Sequence, residues 1–178
     1  MYSAIIIHAP IRGGKTETCR NIVDRCLKAG IPVGGFISPC RISGDETVGY
    51  NCVEYPSGDA FPLVKLGVPD DDWFQYGSLK YLFSKSGFKR GNKILQGCID
   101  DSSLVVIDEF GRVERNQDGF YRGFQYVAQK KKDGVYMIAC RGDLIETVKD
   151  YLPEVVEKYV FKATEREKIW AKIMSLLI

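Results

Sequence analysis

The sequence predicts an α/β fold, in which a mainly parallel sheet is covered by helices on both faces and carries an antiparallel hairpin insertion. Short apolar segments typical of buried strands alternate along the chain with segments whose apolar residues recur at helical spacing. Residues 43–66 differ, because apolar and polar residues alternate there around a Pro-Ser-Gly-Asp turn, which is typical of a hairpin. The length of 178 residues predicts one domain spanning residues 1–178.

The order of the elements supports this fold class. We predict strands at 3–8, 33–38, 103–107, 135–140 and 158–162, and helices at 15–29, 92–100, 120–132 and 143–151. A last helix is predicted to begin at Thr164, because Glu167 three residues later completes a capping-box pattern. Residues 67–87 show neither period, and we interpret them as a mobile loop or as a segment that covers the substrate, with a candidate lid at 67–90.

Composition and charge argue against several classes of protein. The net charge of +2 gives no strong nucleic-acid signal, and the short basic runs FKRGNK and QKKKDG are interpreted as solvated helix ends. No apolar run approaches the roughly 18 residues of a membrane span, and no signal peptide is expected. Six cysteines without a CxxC pair and a single histidine argue against a zinc site, so we expect reduced thiols in a cytoplasmic protein.

The segment after the first predicted strand reads APIRGGKT, from Ala9 to Thr16. It matches the phosphate-binding loop pattern, with alanine at the usual first glycine, and it lies between a strand and a helix as that motif requires. Gly13 and Gly14 allow backbone N–H groups to turn toward phosphate oxygens, and the following helix directs its partial positive charge to the same anion. We expect Lys15 to contact the β- and γ-phosphates and Thr16 to ligate Mg²⁺. The predicted nucleotide-binding residues are Ala9, Pro10, Ile11, Arg12, Gly13, Gly14, Lys15, Thr16 and Glu17.

A second motif supplies the carboxylates that a phosphate-binding loop needs. The apolar run Leu104 to Ile107 is followed directly by Asp108 and Glu109. Asp108 is predicted to support Mg²⁺ near Thr16, and Glu109 to polarise a water molecule for in-line attack on the γ-phosphate. The alternative is that Glu109 is a surface or structural carboxylate, because the same pair also occurs in ATP-binding proteins that do not hydrolyse ATP.

Five segments occur in an order that resembles one known family: APIRGGKT, GGFISP, VGYNCVEYPSGDAFPL, FSKSGFKRGNKILQ and VVIDEFGRVE. Together they are similar to the small nucleoside-triphosphatase family first defined from thermophiles, whose animal members are called cancer-related nucleoside-triphosphatases. The resemblance implies a RecA-like P-loop sheet. It also implies Mg²⁺-dependent hydrolysis of nucleoside 5′-triphosphates to diphosphate and phosphate, with loose base selectivity.

The motifs of that family fall on residues already described. The resemblance implies that Lys15 and Thr16 bind phosphate and metal, that Asp108 supports the metal and that Glu109 activates water. The remaining fixed positions of the family's DE-x-G-x-x-E segment are Gly111 and Glu114. The resemblance assigns no chemistry to either of these two positions.

A cation near the γ-phosphate would accelerate hydrolysis at such a site. The candidates are Arg12, Arg41, Arg112 and Arg141. We favour Arg12, which lies inside the loop, and Arg141, which follows an apolar strand at the carboxyl edge where parallel sheets bind ligands. Without a catalytic arginine, slow intrinsic turnover is expected. Base selectivity is expected to depend on residues 164–166 or 141–143.

Two other functions compete with hydrolysis. A nucleotide or small-molecule kinase would need an acceptor site built by residues 67–90, and phosphate transfer would depend on that acceptor. A nucleotide-gated adaptor would hydrolyse slowly and change shape at the hairpin. Asp108 and Glu109 favour hydrolysis over transfer but say little against the adaptor. We expect a nucleoside triphosphate as the binding partner, no membrane association, and a monomer or weak oligomer.

Overall fold

A computed structural model describes residues 1–178. The strands are β1 (Ser3–His8), β2 (Val33–Ile37), β3 (Cys40–Ser43), β4 (Glu46–Tyr55), β5 (Ala60–Lys65), β6 (Trp73–Gln75), β7 (Leu82–Ser84), β8 (Leu104–Phe110), β9 (Val135–Cys140) and β10 (Glu157–Lys162). The helices are α1 (Lys15–Lys28), α2 (Lys85–Gly97), α3 (Arg112–Arg115), α4 (Tyr121–Lys130), α5 (Ile145–Tyr151) and α6 (Arg166–Leu177). A short 3-10 turn, Gly142–Leu144, precedes α5.

All ten strands belong to one mixed sheet, in the order β10-β1-β9-β8-β2-β4-β5-β7-β6, with β3 paired to β4 outside this order. Strands β10, β1, β9, β8 and β2 pair in parallel, and we call them the parallel half. Strands β3 to β7 pair antiparallel and form the antiparallel half. The predicted fold class is confirmed, and the antiparallel insertion is larger than a single hairpin.

The parallel half is covered on both faces because successive side chains of its strands enter two separate apolar cores. In β1, Ile5 and Ile7 join the core beneath α1 and α6, whereas Ala4 and Ile6 join the core beneath α2, α4 and α5. Alternate residues of a strand point to opposite faces of its sheet, so an unbroken apolar run marks a strand that is buried on both.

The helix predicted at 92–100 begins seven residues earlier, at Lys85, and ends at Gly97. Its start is set by Ser84, whose hydroxyl oxygen accepts a hydrogen bond from the N–H of Gly87 at 2.9 Å. Glycines in its first two turns obscured the helical pattern, because glycine is unfavourable in a helix interior. Packing requires one of them: a Cβ on Gly91 would lie 2.2 Å from the ring of Phe120.

Residues 67–87 contain two short strands, so the prediction of a mobile loop is wrong. Strand β7 pairs with β5, and β6 pairs with β7. The ring of Phe83 lies 6.2 Å from Phe74 and 6.3 Å from Tyr76, and it stacks on Phe88 at 5.9 Å. Strands of three residues are too short to show a period in the sequence. That residues 67–90 cover a bound nucleotide stays a prediction.

The capping box predicted for the last helix is wrong. Helix α6 begins at Arg166, and the carboxylate of the preceding Glu165 accepts a hydrogen bond from the N–H of Lys162 at 2.9 Å. Glu167 forms an ion pair with Arg25 of α1 at 2.7 Å. The carboxylate that the pattern assigned to capping is therefore used to join two helices.

The lysine run at the end of α4 also differs from the prediction. The helix ends at Lys130, and Lys131 turns inward, where its ammonium group donates to the carbonyl of Ser102 at 2.7 Å. All six cysteines are free thiols, and Cys40 is the exposed one. None of the helices has the length and apolar character needed to cross a membrane.

Candidate active site

The loop between β1 and α1 has the tight backbone that its glycines predict. The N–H of Gly13 donates to the carbonyl of Pro10 at 2.9 Å. A Cβ on Gly13 would lie 2.6 Å from that of Ala9, so only glycine fits. Gly14 has a φ of +85°, a backbone conformation that favours glycine, and it directly precedes α1. The loop thus leads into a helix N-terminus, whose free N–H groups attract anions.

Lys15 is the buried cation of this loop. Its side chain is 6% exposed, and its ammonium group donates to the carbonyls of Ala9 at 3.4 Å and Pro10 at 3.3 Å. Both contacts are long and go to neutral acceptors. Charged acceptors bind an ammonium group more strongly than carbonyls do, so phosphate oxygens are favourable partners for Lys15.

The other predicted loop residues are more exposed. Pro10 and Ile11 lie on the surface. The carboxylate of Glu17 pairs with Arg20 at 3.3 Å along the surface of α1, so its side chain is engaged away from the loop.

Arg12 connects the loop to the antiparallel half of the sheet. Its guanidinium group donates to the hydroxyl of Thr47 in β4 at 2.7 Å. The carbonyl of Thr47 accepts a hydrogen bond from the Tyr81 hydroxyl at 3.2 Å, and the Tyr81 ring lies edge-on to Tyr50 at 6.4 Å. Burial and the negative charge of Glu109 raise the pKa of Tyr50, so Tyr50 lies within the electrostatic field of the predicted catalytic carboxylate.

Asp108 is fully buried at the end of β8 and is held by one neighbouring residue. The N–H of Ser38 donates to Oδ2 of Asp108 at 3.1 Å, and the Ser38 hydroxyl donates to the Asp108 carbonyl. Burial raises the pKa of Asp108, while the Ser38 N–H, the Thr16 hydroxyl and Lys15 oppose that rise. The other carboxylate oxygen, Oδ1, has no hydrogen-bond partner.

These residues fit a magnesium ion. An orphaned, buried carboxylate oxygen beside the Thr16 hydroxyl is the oxygen-donor environment that Mg²⁺ prefers. No cluster of three or more His, Cys, Asp or Glu side chains could hold a metal by itself. Thr16 and Asp108 would therefore share the ion with water and with phosphate oxygens of the nucleotide, as Mg²⁺ commonly does in phosphate-binding proteins.

Glu109 follows Asp108, and its carboxylate makes no hydrogen bond or ion pair with another side chain. The Asp108–Glu109 peptide is cis, and the register of β8 against β9 shifts between Asp108 and Phe110. Burial and the adjacent Asp108 raise the pKa of Glu109, and Lys15 and Arg141 lower it. Glu109 is thus a poorly solvated carboxylate in the electrostatic field of two cations, a setting typical of a tuned general base.

Of the four candidate arginines, Arg12 and Arg141 are the two that bear on the site. Arg141 influences the pKa of Glu109, and its guanidinium group pairs with Asp143 at 2.9 Å. Arg41 lies on the exposed strand β3, and Arg112 is exposed at the start of α3. The preference for Arg12 and Arg141 as catalytic cations stays a prediction.

Glu114 orders the loop that follows β8. Its side chain is 4% exposed, Oε2 accepts from the N–H of Gly111 at 2.9 Å, and Oε1 accepts from the N–H of Phe120 at 3.1 Å. Both hydrogen bonds favour the ionised carboxylate, but burial prevails and raises its pKa to about 7. Glu114 thus has a structural role, since it ties together both ends of the segment between β8 and α4.

Sequence reasoning brought together Lys15, Asp108 and Glu109, but it missed two of their supports. Ser38 appeared only as part of GGFISP, and its contact with Asp108 depends on β2 lying beside β8. Thr47 appeared only as an alternating residue of the hairpin. A serine at the carboxyl end of a predicted strand was the one signal available for Ser38.

Comparison with known proteins agrees with this geometry. A family model described as NTPase matches residues 4–174. The nucleoside-triphosphatase THEP1 of Methanopyrus kandleri is 20% identical, over 91% of this chain and 88% of the relative. That of Methanocaldococcus jannaschii is 24% identical, over 93% of this chain and 91% of the relative.

Two solved structures share the fold. THEP1 from the hyperthermophile Aquifex aeolicus superposes with a TM-score of 0.70, at 19% identity and over 99% of both chains. The solution structure of a human cancer-related nucleoside triphosphatase also gives 0.70, at 20% identity, over 98% of this chain and 96% of that one. Because the family model spans nearly the whole sequence, this chain belongs to the NTPase family.

Proposed function

We propose that this chain is a Mg²⁺-dependent enzyme that hydrolyses nucleoside 5′-triphosphates to diphosphate and phosphate, with loose base selectivity. The observation that carries the proposal is a meeting of three groups. The cation Lys15 lowers the pKa of both carboxylates, that of Asp108 with its orphaned oxygen and that of the unpaired Glu109, and Asp108 raises the pKa of Glu109. Membership of the NTPase family supports the same reaction.

In this proposal the loop and α1 hold the triphosphate. Backbone N–H groups around Gly13 and Gly14 and the N-terminus of α1 contact phosphate oxygens, and Lys15 moves from its carbonyl partners to the β- and γ-phosphates. Thr16 and Asp108 would hold Mg²⁺, which when bound would neutralise charge on the phosphates.

Glu109 then acts on water. A water molecule attacks the γ-phosphorus, its proton passes to the Glu109 carboxylate, and the bond from the γ-phosphorus to the bridging oxygen breaks. The bridging oxygen leaves with the nucleoside diphosphate and keeps the electron pair. Lys15 stabilises the charge that develops on the phosphate oxygens, and Arg12 or Arg141 is placed to add to it.

The segments expected to set base selectivity lie beside the loop. Strand β1 lies between β9 and β10, so residues 141–143 and 163–166 flank the loop on its two sides. The N–H of Ala163 donates to the carbonyl of His8 at 2.9 Å, and Arg166 donates to the Thr18 hydroxyl at 3.0 Å. These contacts fix the backbone beside the nucleotide site, and residues 141–143 and 164–166 are proposed to contact the base.

A nucleotide-gated adaptor remains the second candidate, because one hydrogen bond joins the phosphate loop to the antiparallel half. Arg12 donates to Thr47, so a phosphate that attracts Arg12 would break the link between the loop and β4. Slow hydrolysis with a change at β4 would then report the nucleotide state to a partner.

The proposal is tested by measuring phosphate release from the four ribonucleoside triphosphates across a Mg²⁺ titration. We expect release from all four, abolished by a chelator and independent of any acceptor. Asp108→Asn should shift the titration to higher Mg²⁺, since it weakens the metal support, whereas Asp101→Asn on the exposed surface near the start of β8 should not. Release only with an added acceptor would establish the kinase, and tight Mg²⁺-dependent binding without release would favour the adaptor.

A further inference from the structure

The basic residues of α2 and α4 are segregated on one side of the molecule. Helix α2 contains four basic residues and α4 two, and neither helix contains an acidic one. Because the whole chain carries +2, the rest of the chain carries −4. The modest net charge of the chain therefore conceals a strongly positive region. The run FKRGNK lies inside α2, so its interpretation as a helix end is wrong.

The two helices pack together through small residues. A Cβ on Gly91 would meet the ring of Phe120, and one on Gly123 would meet the side chains of Asn92 and Leu95. Asn92 also spans the gap, since it donates to the carbonyl of Gly119 at 2.9 Å and accepts from the N–H of Gly123 at 2.7 Å. Packed helix axes lie about 8–10 Å apart, and glycine contacts favour the close end of that range.

The basic side chains line the flanks where these helices meet. Residues three and four apart share a helix face, so Lys89 lies on the side of α2 that carries Asn92, and Lys93 lies one turn beyond Lys89. In α4 the same rule places Tyr126 and Lys130 on the side of Gly123, and Arg122 joins them four residues before Tyr126. We call Lys89, Lys93, Arg122 and Lys130 the basic two-helix face.

All four members of this face are exposed, and none forms a hydrogen bond or an ion pair within the chain. Arg90 is different, because it pairs with Glu54 at 3.2 Å and lies over the ring of Phe61 on the other flank of α2. The nearest carboxylates along the chain lie beyond the helix ends, at Asp100, Asp101, Asp118 and Asp133. The four cations are thus free to bind an external anion.

The opposite face of the sheet shows that this arrangement is not a general property of the surface. Helices α1 and α6 carry carboxylates among their basic residues, and these pair internally, as in Arg20 with Glu17 and Arg25 with Glu167. A surface with mixed and paired charges has little attraction for a polyanion. The two pairs of helices therefore differ in how their cations are accompanied, since α1 and α6 carry three carboxylates among their basic residues and α2 and α4 carry none.

We propose that the basic two-helix face binds the phosphate backbone of a double-stranded nucleic acid. Lys89 and Lys93 are separated by four residues, about 6 Å along the helix, and B-DNA advances about 6.8 Å over two phosphates of one strand. The second row of cations, on α4, lies beside the first at about the spacing of neighbouring helices, so the face presents two rows of positive charge to the backbone phosphates. Tyr126, 38% exposed between Arg122 and Lys130, adds a polar aromatic contact.

The composition of the face favours a nucleic acid over a membrane. A helix that binds anionic lipid also places large apolar side chains into the bilayer interface. The exposed residues between the four cations are instead polar, as in Gln96, Tyr126 and Gln129. Amide and phenol groups are typical donors to phosphate and sugar oxygens.

The test is fluorescence anisotropy of a labelled duplex of about 20 base pairs, titrated with the native chain between about 50 and 200 mM salt, a range that brackets physiological ionic strength. We expect binding at low salt, with a slope of log K against log salt of about −3.6 for four contacts. Lys93→Gln with Lys130→Gln should reduce the slope by about two and weaken binding by at least about tenfold at low salt. Lys28→Gln with Lys168→Gln, on the opposite face, should change neither quantity.

Control measurements on the variants and on other anionic partners decide for or against the proposal. All variants should keep native phosphate release and melting temperature, because none of these lysines belongs to the nucleotide site. Absence of duplex binding at the lowest salt would overturn the proposal, as would equal losses in both pairs of variants. Stronger binding to phosphatidylserine vesicles or to a single strand of the same sequence than to the duplex would also overturn it. The same titration with a DNA duplex and an RNA duplex of one sequence shows which of these two phosphate backbones the face binds more tightly.

Discussion

The two halves of the sheet differ both in burial and in chemistry. Every residue of β2 and β9 in the parallel half is buried, whereas all four residues of β3 in the antiparallel half are exposed. Lys15, Asp108 and Glu109 all follow or end strands of the parallel half. A sheet covered on both faces excludes water from the strand ends, so it can hold carboxylates whose pKa burial has raised.

Two polar contacts order the site, the first within the parallel half and the second between the halves. Ser38, which follows β2, donates to Asp108, and Thr47 of β4 accepts from Arg12 of the phosphate loop. The first contact lies in the interior and positions a proposed metal ligand, while the second lies at the rim. We therefore expect changes in the parallel half to affect chemistry, and changes in the antiparallel half to affect affinity and stability.

The largest expected effect comes from removing the cation of the parallel half. Lys15→Ala should lower kcat/KM for phosphate release by at least about 100-fold, because an oriented cation at the transferred phosphoryl group is lost. Lys65→Ala, which removes a lysine of β5 that lies over Trp73, should leave the rate little changed. Equal losses of kcat/KM in Lys15→Ala and Lys65→Ala would show that the two halves do not differ in their contribution to the reaction.

The next effect concerns Glu114, whose pKa is raised to about 7 from its ordinary value of 4.5. A carboxyl group with a raised folded-state pKa stabilises the fold below its unfolded pKa, and that contribution is lost as pH rises through the folded pKa. We expect the free energy of unfolding to fall by on the order of 3 kcal/mol between about pH 4.5 and pH 7 on this account. Glu114→Gln should remove that fall in urea unfolding measured at several pH values. If the free energy of unfolding changed with pH in the same way in the native chain and in Glu114→Gln, the raised pKa could not belong to Glu114.

A smaller effect is expected where α2 covers the sheet between the halves. Gly91→Ala would place a Cβ 2.2 Å from the Phe120 ring, so the free energy of unfolding should fall. The expected loss is about 1–3 kcal/mol, as for other overpacked interiors. Gly97→Ala is the matched control, because a Cβ there meets nothing within 4 Å at the end of the same helix. Equal stability of the two variants would show that the contact between Gly91 and Phe120 is not tight.

The smallest effect concerns the link between Arg12 and Thr47. Thr47→Val removes the hydroxyl that accepts from Arg12, so Arg12 becomes free to reach a phosphate. We expect nucleotide affinity to rise by about two- to fivefold, the equivalent of one ordinary hydrogen bond. Thr47→Ser should retain native affinity. In an Arg12→Ala background, Thr47→Val should no longer change the affinity, and an additive double-mutant cycle would show that the two residues are uncoupled.

The sequence predicted the parallel half better than the antiparallel half, for a physical reason. Strands such as β1 are unbroken apolar runs, and the loop glycines before Lys15 are tied to a motif, so both can be read locally. In contrast, β6 and β7 have three residues each and depend on pairing with β5. The start of α2 was missed because its glycines serve packing against Phe120 rather than helix propensity.

The residues of the candidate site also divide into those that a local motif identifies and those that only the topology brings together. Lys15, Asp108 and Glu109 lie in sequence motifs and could be assigned by residue type and spacing. Ser38 and Thr47 act through strands that are distant along the chain from their partners, so only the topology reveals them. The segregation of charge on α2 and α4 was likewise hidden, because a net charge sums over all faces of the molecule.

The central claim is that Glu109 activates the attacking water, and single-turnover phosphate release tests it most directly. With saturating enzyme and Mg²⁺, Glu109→Gln should slow release by about 10²–10⁴-fold, the usual contribution of a general base, while nucleotide affinity stays native. Glu154→Gln, an exposed carboxylate away from the site, controls for the loss of one charge. A native single-turnover rate in Glu109→Gln would contradict the claim and assign Glu109 a structural role.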